Sequence, residues 1–246
     1  MKKLIVANWK MNMTKASGIS LVKSLSVKIN RSNSSSPKVV VCPPFTLISE
    51  ISKILKSSKI SLGGQDCSTD SFGAFTGDIS SLMLKDLGCK YVIVGHSERR
   101  EHHNESEKII KNKLDLALSL GLKVILCVGE KMQERKKGNT IRIITRQLQL
   151  SISKKCNNKN TIIAYEPVWS IGSGVTPKDS EICDVHNFIK NKSSQLSIGD
   201  KPLMVLYGGS VNPRNSKNIL SLQNVDGALV GGASLKLKSF LDIIKS

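Results

Sequence analysis

What the chain lacks narrows its function first. Its six cysteines, Cys42, Cys67, Cys89, Cys127, Cys156 and Cys183, never come closer than 22 residues to one another. That excludes CxxC redox and zinc motifs, and no neighbouring histidine completes a metal set. Several lie in apolar runs, where thiols act as small core hydrophobes, so a reduced, cytoplasmic protein is expected. The sequence signals no metal or organic cofactor. Long apolar runs are missing too. The run nearest the amino terminus, Leu4-Ile5-Val6-Ala7, has four residues. It is too short for a signal-peptide core or a membrane span, so no membrane association is expected. Aromatics make up only 4% of residues. Acidic residues are scarce, 19 against 37 Lys and Arg, which leaves a formal charge of +18. The lysines are dispersed, and the densest cluster, Glu134-Arg135-Lys136-Lys137, has no aromatic stacking platform beside it. A nucleic-acid partner is therefore not expected. A basic field does favour encounter with a small anion. A compositional bias towards Lys, Ile, Ser and Asn explains the charge more simply.

What is present is an alternation. Short apolar, β-branched runs occur at Leu4–Trp9, Lys38–Cys42, Ile60–Gly63, Tyr91–Val94, Lys123–Val128, Thr161–Tyr165, Leu203–Tyr207 and Gly227–Val230. Amphipathic segments separate them, among them Glu105–Leu120, Asn139–Ile152 and Lys178–Lys190. Thr176-Pro177-Lys178-Asp179 reads as a helix start, with Thr176 as the cap. Strands alternating with helices imply a parallel sheet. Eight units in 246 residues predict an α/β fold, a closed (β/α)₈ barrel, with residues 1–246 as one domain. An open doubly wound sheet is the alternative on pattern alone.

In a barrel, function gathers at the carboxyl ends of the strands. There the sequence places Asn8 and Lys10, then Gly95-His96-Ser97-Glu98, then Ala164-Tyr165-Glu166-Pro167, and finally the glycine pairs of Tyr207-Gly208-Gly209-Ser210 and Val230-Gly231-Gly232. Each has a plain alternative: a solvated lysine, a structural turn histidine, a loop carboxylate, an ordinary tight turn. A histidine entering a short helix feels its positive end, which disfavours imidazolium. Glycines after strands seven and eight let a phosphate reach backbone N–H groups, with a following helix adding its dipole. Pro167 to Gly174 joins a stiff start, two bulky apolar residues (Val168 and Trp169) and a glycine-rich end. Those are the parts of a moving, water-excluding lid. His102, His103 and His186 carry no comparable context and read as surface or packing residues.

Taken in order, Asn8-Trp9-Lys10-Met11-Asn12, Gly73-Ala74-Phe75-Thr76-Gly77, Gly95-His96-Ser97-Glu98-Arg99-Arg100, Cys127-Val128-Gly129-Glu130, Ala164–Gly174, Tyr207-Gly208-Gly209-Ser210 and Gly231-Gly232-Ala233-Ser234 resemble the triosephosphate isomerase family from end to end. The resemblance implies an aldose–ketose isomerase acting on a triose phosphate. Glu166 would be the base and His96, kept neutral, the electrophile, a pairing for which this family is itself a standard case. Lys10 would supply positive charge and Asn8 would orient the substrate, with Glu98 behind them. Gly172, Ser210, Gly231 and Gly232 would offer N–H groups to the phosphate. Pro167, Val168, Trp169, Ser170, Ile171, Gly172, Ser173 and Gly174 would form the lid. The segment Gln65–Ile79 would insert into a second copy, with Thr76 reaching its site, so the resemblance implies a homodimer. Departures from the family pattern are Ser170 for Ala and Ser173 for Thr in the lid, Asp66 for Asn and Asp78 for Glu, Val175 for Lys, and His103-Asn104 for Phe-Gly. The last change puts stability in doubt near His96. Two rivals stay open: another phosphate-binding barrel isomerase, and a non-catalytic RNA binder using the +18 charge.

Overall fold

In a computed structural model of the chain, which describes residues 2–33, 35–172, 174–199 and 201–246, the strands close into a ring. They are β1 (Leu4–Asn8), β2 (Lys38–Cys42), β3 (Ser61–Gly64), β4 (Tyr91–Val94), β5 (Lys123–Val128), β6 (Thr161–Tyr165), β7 (Met204–Tyr207) and β8 (Gly227–Val230). All pair in parallel and in sequence order. The seam is β1, where Leu4 lies opposite both Lys38 of β2 and Gly227 of β8. This is the (β/α)₈ barrel, and the open doubly wound alternative is set aside. The predicted strands are recovered with ends that move by one residue at β1, β3 and β7.

The two faces of each strand fill two different cores. Leu4, Val6, Val40, Cys42, Tyr91, Ile93, Ile125, Cys127, Ile162, Ala164, Leu206 and Leu229 form one buried cluster, the packed interior of the barrel. The alternate residues, such as Ile5, Ala7, Val39, Val41, Val92 and Val94, pack outward against the helices. Both faces are buried, which is why the strands read as continuous apolar runs.

Helix boundaries follow local caps rather than hydrophobic pattern. The segment expected at Glu105–Leu120 forms a helix over Glu107–Ser119, because the Ser106 side chain accepts from Ile109 N at 3.4 Å and fixes the start there. Asn139–Ile152 forms over Thr140–Ser151. The start expected at Thr176 is incorrect. The helix runs Asp179–Leu196, with Lys178 at the cap, and the Glu181 carboxylate accepts from Lys178 N at 2.8 Å. Acid at the third helical position therefore decides the boundary. Asn104 takes φ +52°, a left-handed conformation that favours glycine and that Asn tolerates better than most residues. All six cysteines are free, and five are buried. Burial pushes the Cys67 and Cys89 thiols up to about 12. No helix among the described residues is long and apolar enough to cross a membrane.

His186, read as a surface or packing residue, is fully buried. Its ring lies edge-on to Tyr165 at 5.9 Å and tilted against Tyr207 at 6.3 Å, and Nδ1 lies 3.1 Å from Asn224 O. Burial lowers its pKa to about 4, against smaller opposing effects of Asn224 O and Asp226. The folded state then binds fewer protons than the unfolded chain between about 6.5 and 4. Stability is accordingly complete above 6.5 and is lost as pH falls towards 4, by roughly 3 kcal/mol from this one group. Denaturant unfolding of the wild type and His186→Asn at several pH values checks this. The stability difference between the two proteins should shift along a one-proton curve in that window, and a difference independent of pH would refute it.

Candidate active site

The site is built where β1, β4, β6, β7 and β8 end. β1 stops at Asn8, whose Oδ1 accepts from Lys10 N at 3.0 Å. Lys10 has φ +51°, rare for a residue with a Cβ. The surroundings hold it there: Gln65 Nε2 donates to Lys10 O and to Cys42 O, each at 2.9 Å. Strain of this kind persists only when neighbouring contacts over-determine it. Its result is directional. The Lys10 ammonium meets Glu98 Oε1 at 2.5 Å, and a Cβ on Gly231 would come within 3.3 Å of Lys10 Cε.

After β4, His96 caps the short helix Ser97–His102, its Nδ1 accepting from Glu98 N at 3.3 Å. That bond needs a lone pair on Nδ1, which leaves the ring proton on Nε2. Nε2 lies 3.0 Å from Glu166 Oε1, but off the line of its N–H. Ser97 N donates to Glu166 Oε2 at 2.9 Å. The Glu166 carboxyl group, 2% exposed, therefore has one oxygen held and the other without a hydrogen bond among the described residues.

Neighbouring glycines clear the space Glu166 occupies. A Cβ on Gly129 would lie 1.7 Å from Glu166 O, and one on Gly208 would lie 3.0 Å from Glu166 Cγ. On Gly209 it would meet Tyr207 OH at 2.3 Å and Pro167 Cγ at 3.0 Å. The first glycine pair, expected to form a phosphate loop, serves close packing of Glu166, Tyr207 and Pro167. The expected helix dipole is weaker than anticipated. β8 leads into a 3₁₀ turn over Gly232–Leu235, and the helix after β7 begins only at Ser216.

The segment expected to form a lid opens on a 3₁₀ turn, Val168–Ser170. Trp169 Nε1 donates to Glu130 Oε1 at 3.0 Å, and Tyr165 OH donates to the same carboxylate at 3.2 and 3.3 Å. Burial raises the Glu130 pKa, opposed by the hydrogen bonds from Trp169 and Tyr165 and by Arg135. Ser170, buried, donates from Oγ to Val175 O at 2.6 Å, accepts from Ser210 N at 3.4 Å and lies 3.5 Å from Tyr207 OH. Ser173 lies outside the described residues. Asn8, Lys10, His96, Glu166, Ile171, Gly172, Ser210, Gly231 and Gly232 all line one cavity of 260 Å³. Glu98 stands behind it, and Thr76 is remote and exposed.

A protein-family model described as triosephosphate isomerase matches residues 3–246. The chain is 42% identical to triosephosphate isomerase of Geotalea uraniireducens, over 99% of this chain and 98% of that one. It is also 42% identical to the Aquifex aeolicus triosephosphate isomerase, over the full length of both. The crystal structure of triosephosphate isomerase from Bartonella henselae superposes with a TM-score of 0.90 at 41% identity, covering 99% of this chain and 98% of that one. The chain belongs to the triosephosphate isomerase family.

Sequence reasoning missed several residues that shape this family member's site. Gln65 secures the strained Lys10. Gln147 clamps Gly129, with Oε1 accepting from Gly129 N at 2.8 Å and Nε2 donating to Gly129 O at 3.0 Å. A lone amide gives no sequence signal for such a bond, whereas Gly129-Glu130 directly after a strand was visible and went without a role. Gly129→Ala should displace the backbone at Glu166. We expect kcat/KM to fall by at least ~100-fold, the scale on which ångström-sized misplacement acts, in a protein that circular dichroism reports as folded. Activity within about twofold of wild type would overturn the packing argument.

Proposed function

We propose that Glu166, His96, Lys10 and Asn8 carry out the chain's triosephosphate isomerase reaction, the interconversion of D-glyceraldehyde 3-phosphate and dihydroxyacetone phosphate used in glycolysis and gluconeogenesis. The observation that carries these roles is the pairing in one cavity of an unbonded, buried Glu166 Oε1 with a His96 Nε2 that bears the ring proton. Oε1 removes a proton from the carbon beside the carbonyl, and Nε2–H donates a hydrogen bond to the carbonyl oxygen as charge develops on it. The product is an enediolate. Glu166 returns the proton to the neighbouring carbon, while His96 passes a proton between the two oxygens. Lys10 stabilises the anionic charge, and Asn8 positions the substrate oxygens. Glu98, bonded to Lys10 and to the His96 ring through its N–H, keeps both in place.

Gly172, Gly231 and Gly232 offer their N–H groups to the phosphate dianion, Ser210 joins them by releasing its long bond to Ser170 Oγ, and the open space beside Gly232 fits an anion. The lid, with Ile171 and Gly172 on the cavity wall, excludes water. Every step uses groups of the chain itself, so the mechanism invokes neither metal nor organic cofactor. We take residues 1–246 as one domain, acting in the cytoplasm.

A homodimer is part of the same proposal. The loop from Gln65 to Ile79 presents Phe72, 82% exposed, and Phe75 beside the exposed Thr76. Exposed apolar tips of this kind mark association surfaces. A groove of 1150 Å³ beside the site, lined by Met11, Phe45, Gln65, Glu98 and His102 among others, has room for such a loop from a second copy. Thr76 would there support Lys10 and Glu98 from across the interface.

Two measurements test these assignments. Glu166→Gln keeps the shape of the side chain but accepts no proton, and kcat should fall by at least ~100-fold with KM little changed. Equal activity in both proteins would reassign the base. Specific activity should also fall on dilution at the concentration where sedimentation shows the dimer dissociating. A proven monomer with full activity would sink the dimer proposal.

A further inference from the structure

Arg135 lines none of the described cavities, yet it touches both flanks of the lid. It sits on the short helix Met132–Lys136. Its guanidinium lies over the Trp169 ring, 4.5 Å from the centroid. Nη2 meets Glu181 Oε1 at 2.5 Å, and Nη1 stands 3.8 Å from the buried Glu130 carboxylate. Trp169 belongs to the opening turn of the lid, and its indole N–H is already committed to Glu130. Glu181 belongs to the first turn of the helix that follows the lid, and its other oxygen accepts from Lys178 N. One side chain therefore joins the opening turn of the lid segment to the helix that follows it, through a stacked face and an ion pair.

We infer that Arg135 is a positioning residue that holds the lid seated over the substrate, acting through Trp169 and Glu181. This rests on the lid reading given above. The chemistry is particular to a guanidinium. Its planar face stacks on an indole while its edge still offers directed N–H donors, whereas an ammonium is a point charge that does one or the other. Trp169 is gripped on two sides: its edge by Glu130, its face by Arg135. Glu130 alone leaves the ring free to swing about the N–H···O bond. With Arg135 in place the ring plane is fixed, and with it the path of the backbone from Trp169 to the cavity-lining Ile171 and Gly172.

The enediolate makes seating measurable. When it is exposed to water, its electron pair expels the phosphate oxygen, the C–O bond breaks, and the resulting enol tautomerises to methylglyoxal. Inorganic phosphate released per turnover therefore reports how well the lid covers the intermediate, a quantity that a purely structural role would leave unchanged. For Arg135→Lys we expect kcat and kcat/KM to fall together by about tenfold, a several-fold rise in the fraction of turnovers releasing phosphate, and an unchanged melting temperature. Glu181→Gln, which keeps the stack and loses the ion pair, should move the same quantities less. Ile171→Ala reads the lid by itself. If it raises phosphate release and Arg135→Lys does not, the lid stands and the role of Arg135 falls. If neither variant raises it, the lid reading falls and takes this inference with it. A loss of activity in Arg135→Lys that tracks a lower melting temperature, with phosphate release unchanged, also overturns the inference.

Discussion

Closure of the barrel is the constraint on which everything else depends. β1 must pair with β2 on one edge and with β8 on the other, so Leu4 finds Lys38 and Gly227 at the same height. Once the ring is shut, the strand ends lie on one rim, and residues as far apart in sequence as Asn8 and Gly232 line one cavity. The interior is packed solid with side chains up to Cys127, whose thiol is raised by burial and then by the charge of Glu166. Glu166 thus stands on an apolar floor.

Much of this was legible because it is local. A strand buried on both faces must be short, apolar and β-branched, so the eight runs stood out with ends wrong by no more than a residue. Pro167 and the glycines that follow suggested a lid, and Ile171 and Gly172 do lie on the cavity wall. The functional strand ends were readable because a barrel concentrates polar residues at one rim. What stayed hidden depends on distant partners. Gln65 and Gln147 are unremarkable amides until folding aims one at the Lys10 carbonyl and the other at Gly129. For His186 the sequence left surface and packing open, because helix periodicity does not reveal a ring wedged between Tyr165 and Tyr207. Thr176 looked like a cap because its chemistry is right, yet Glu181 fixes the start two residues later.

The glycines show how one residue type answers two demands. Gly208 and Gly209 invited a phosphate interpretation from sequence, and Gly208–Ser210 do lie on the cavity wall. Their steric surroundings add another requirement: Glu166 Cγ, Tyr207 OH and Pro167 approach so closely that a methyl group would have to push one of them aside. Gly232, by contrast, faces open space, while its neighbour Gly231 lies against Lys10 Cε. Two similar motifs therefore differ in their surroundings: both glycines of the first pair are packed in, and only one of the second.

Electrostatics follow the same division between bulk and place. The +18 charge is spread over the surface and predicts little. Near His96 the charges balance locally. Arg99 Nε meets Asp66 Oδ2 at 2.8 Å and Glu105 Oε1 at 2.6 Å, and the buried Lys113 meets the same two oxygens at 2.7 and 2.5 Å. Two cations thus face two carboxylates. Burial raises the pKa of Asp66; it opposes the fall at Glu105, where hydrogen bonds and charge from Lys113 and Arg99 prevail. Deleting one member would strand a buried charge, a change that typically costs about 3–5 kcal/mol. Arg99 lies three residues after His96, and Asp66 opens the Gln65–Ile79 loop directly after the amide that secures Lys10. The helix capped by His96 and the loop proposed to meet a second copy therefore share one cluster of paired charges, next in sequence to the Gln65 that secures Lys10. Displacing that loop would act on the His96 helix and on Lys10 through Asp66 and Gln65, a physical route by which the proposed assembly would bear on activity.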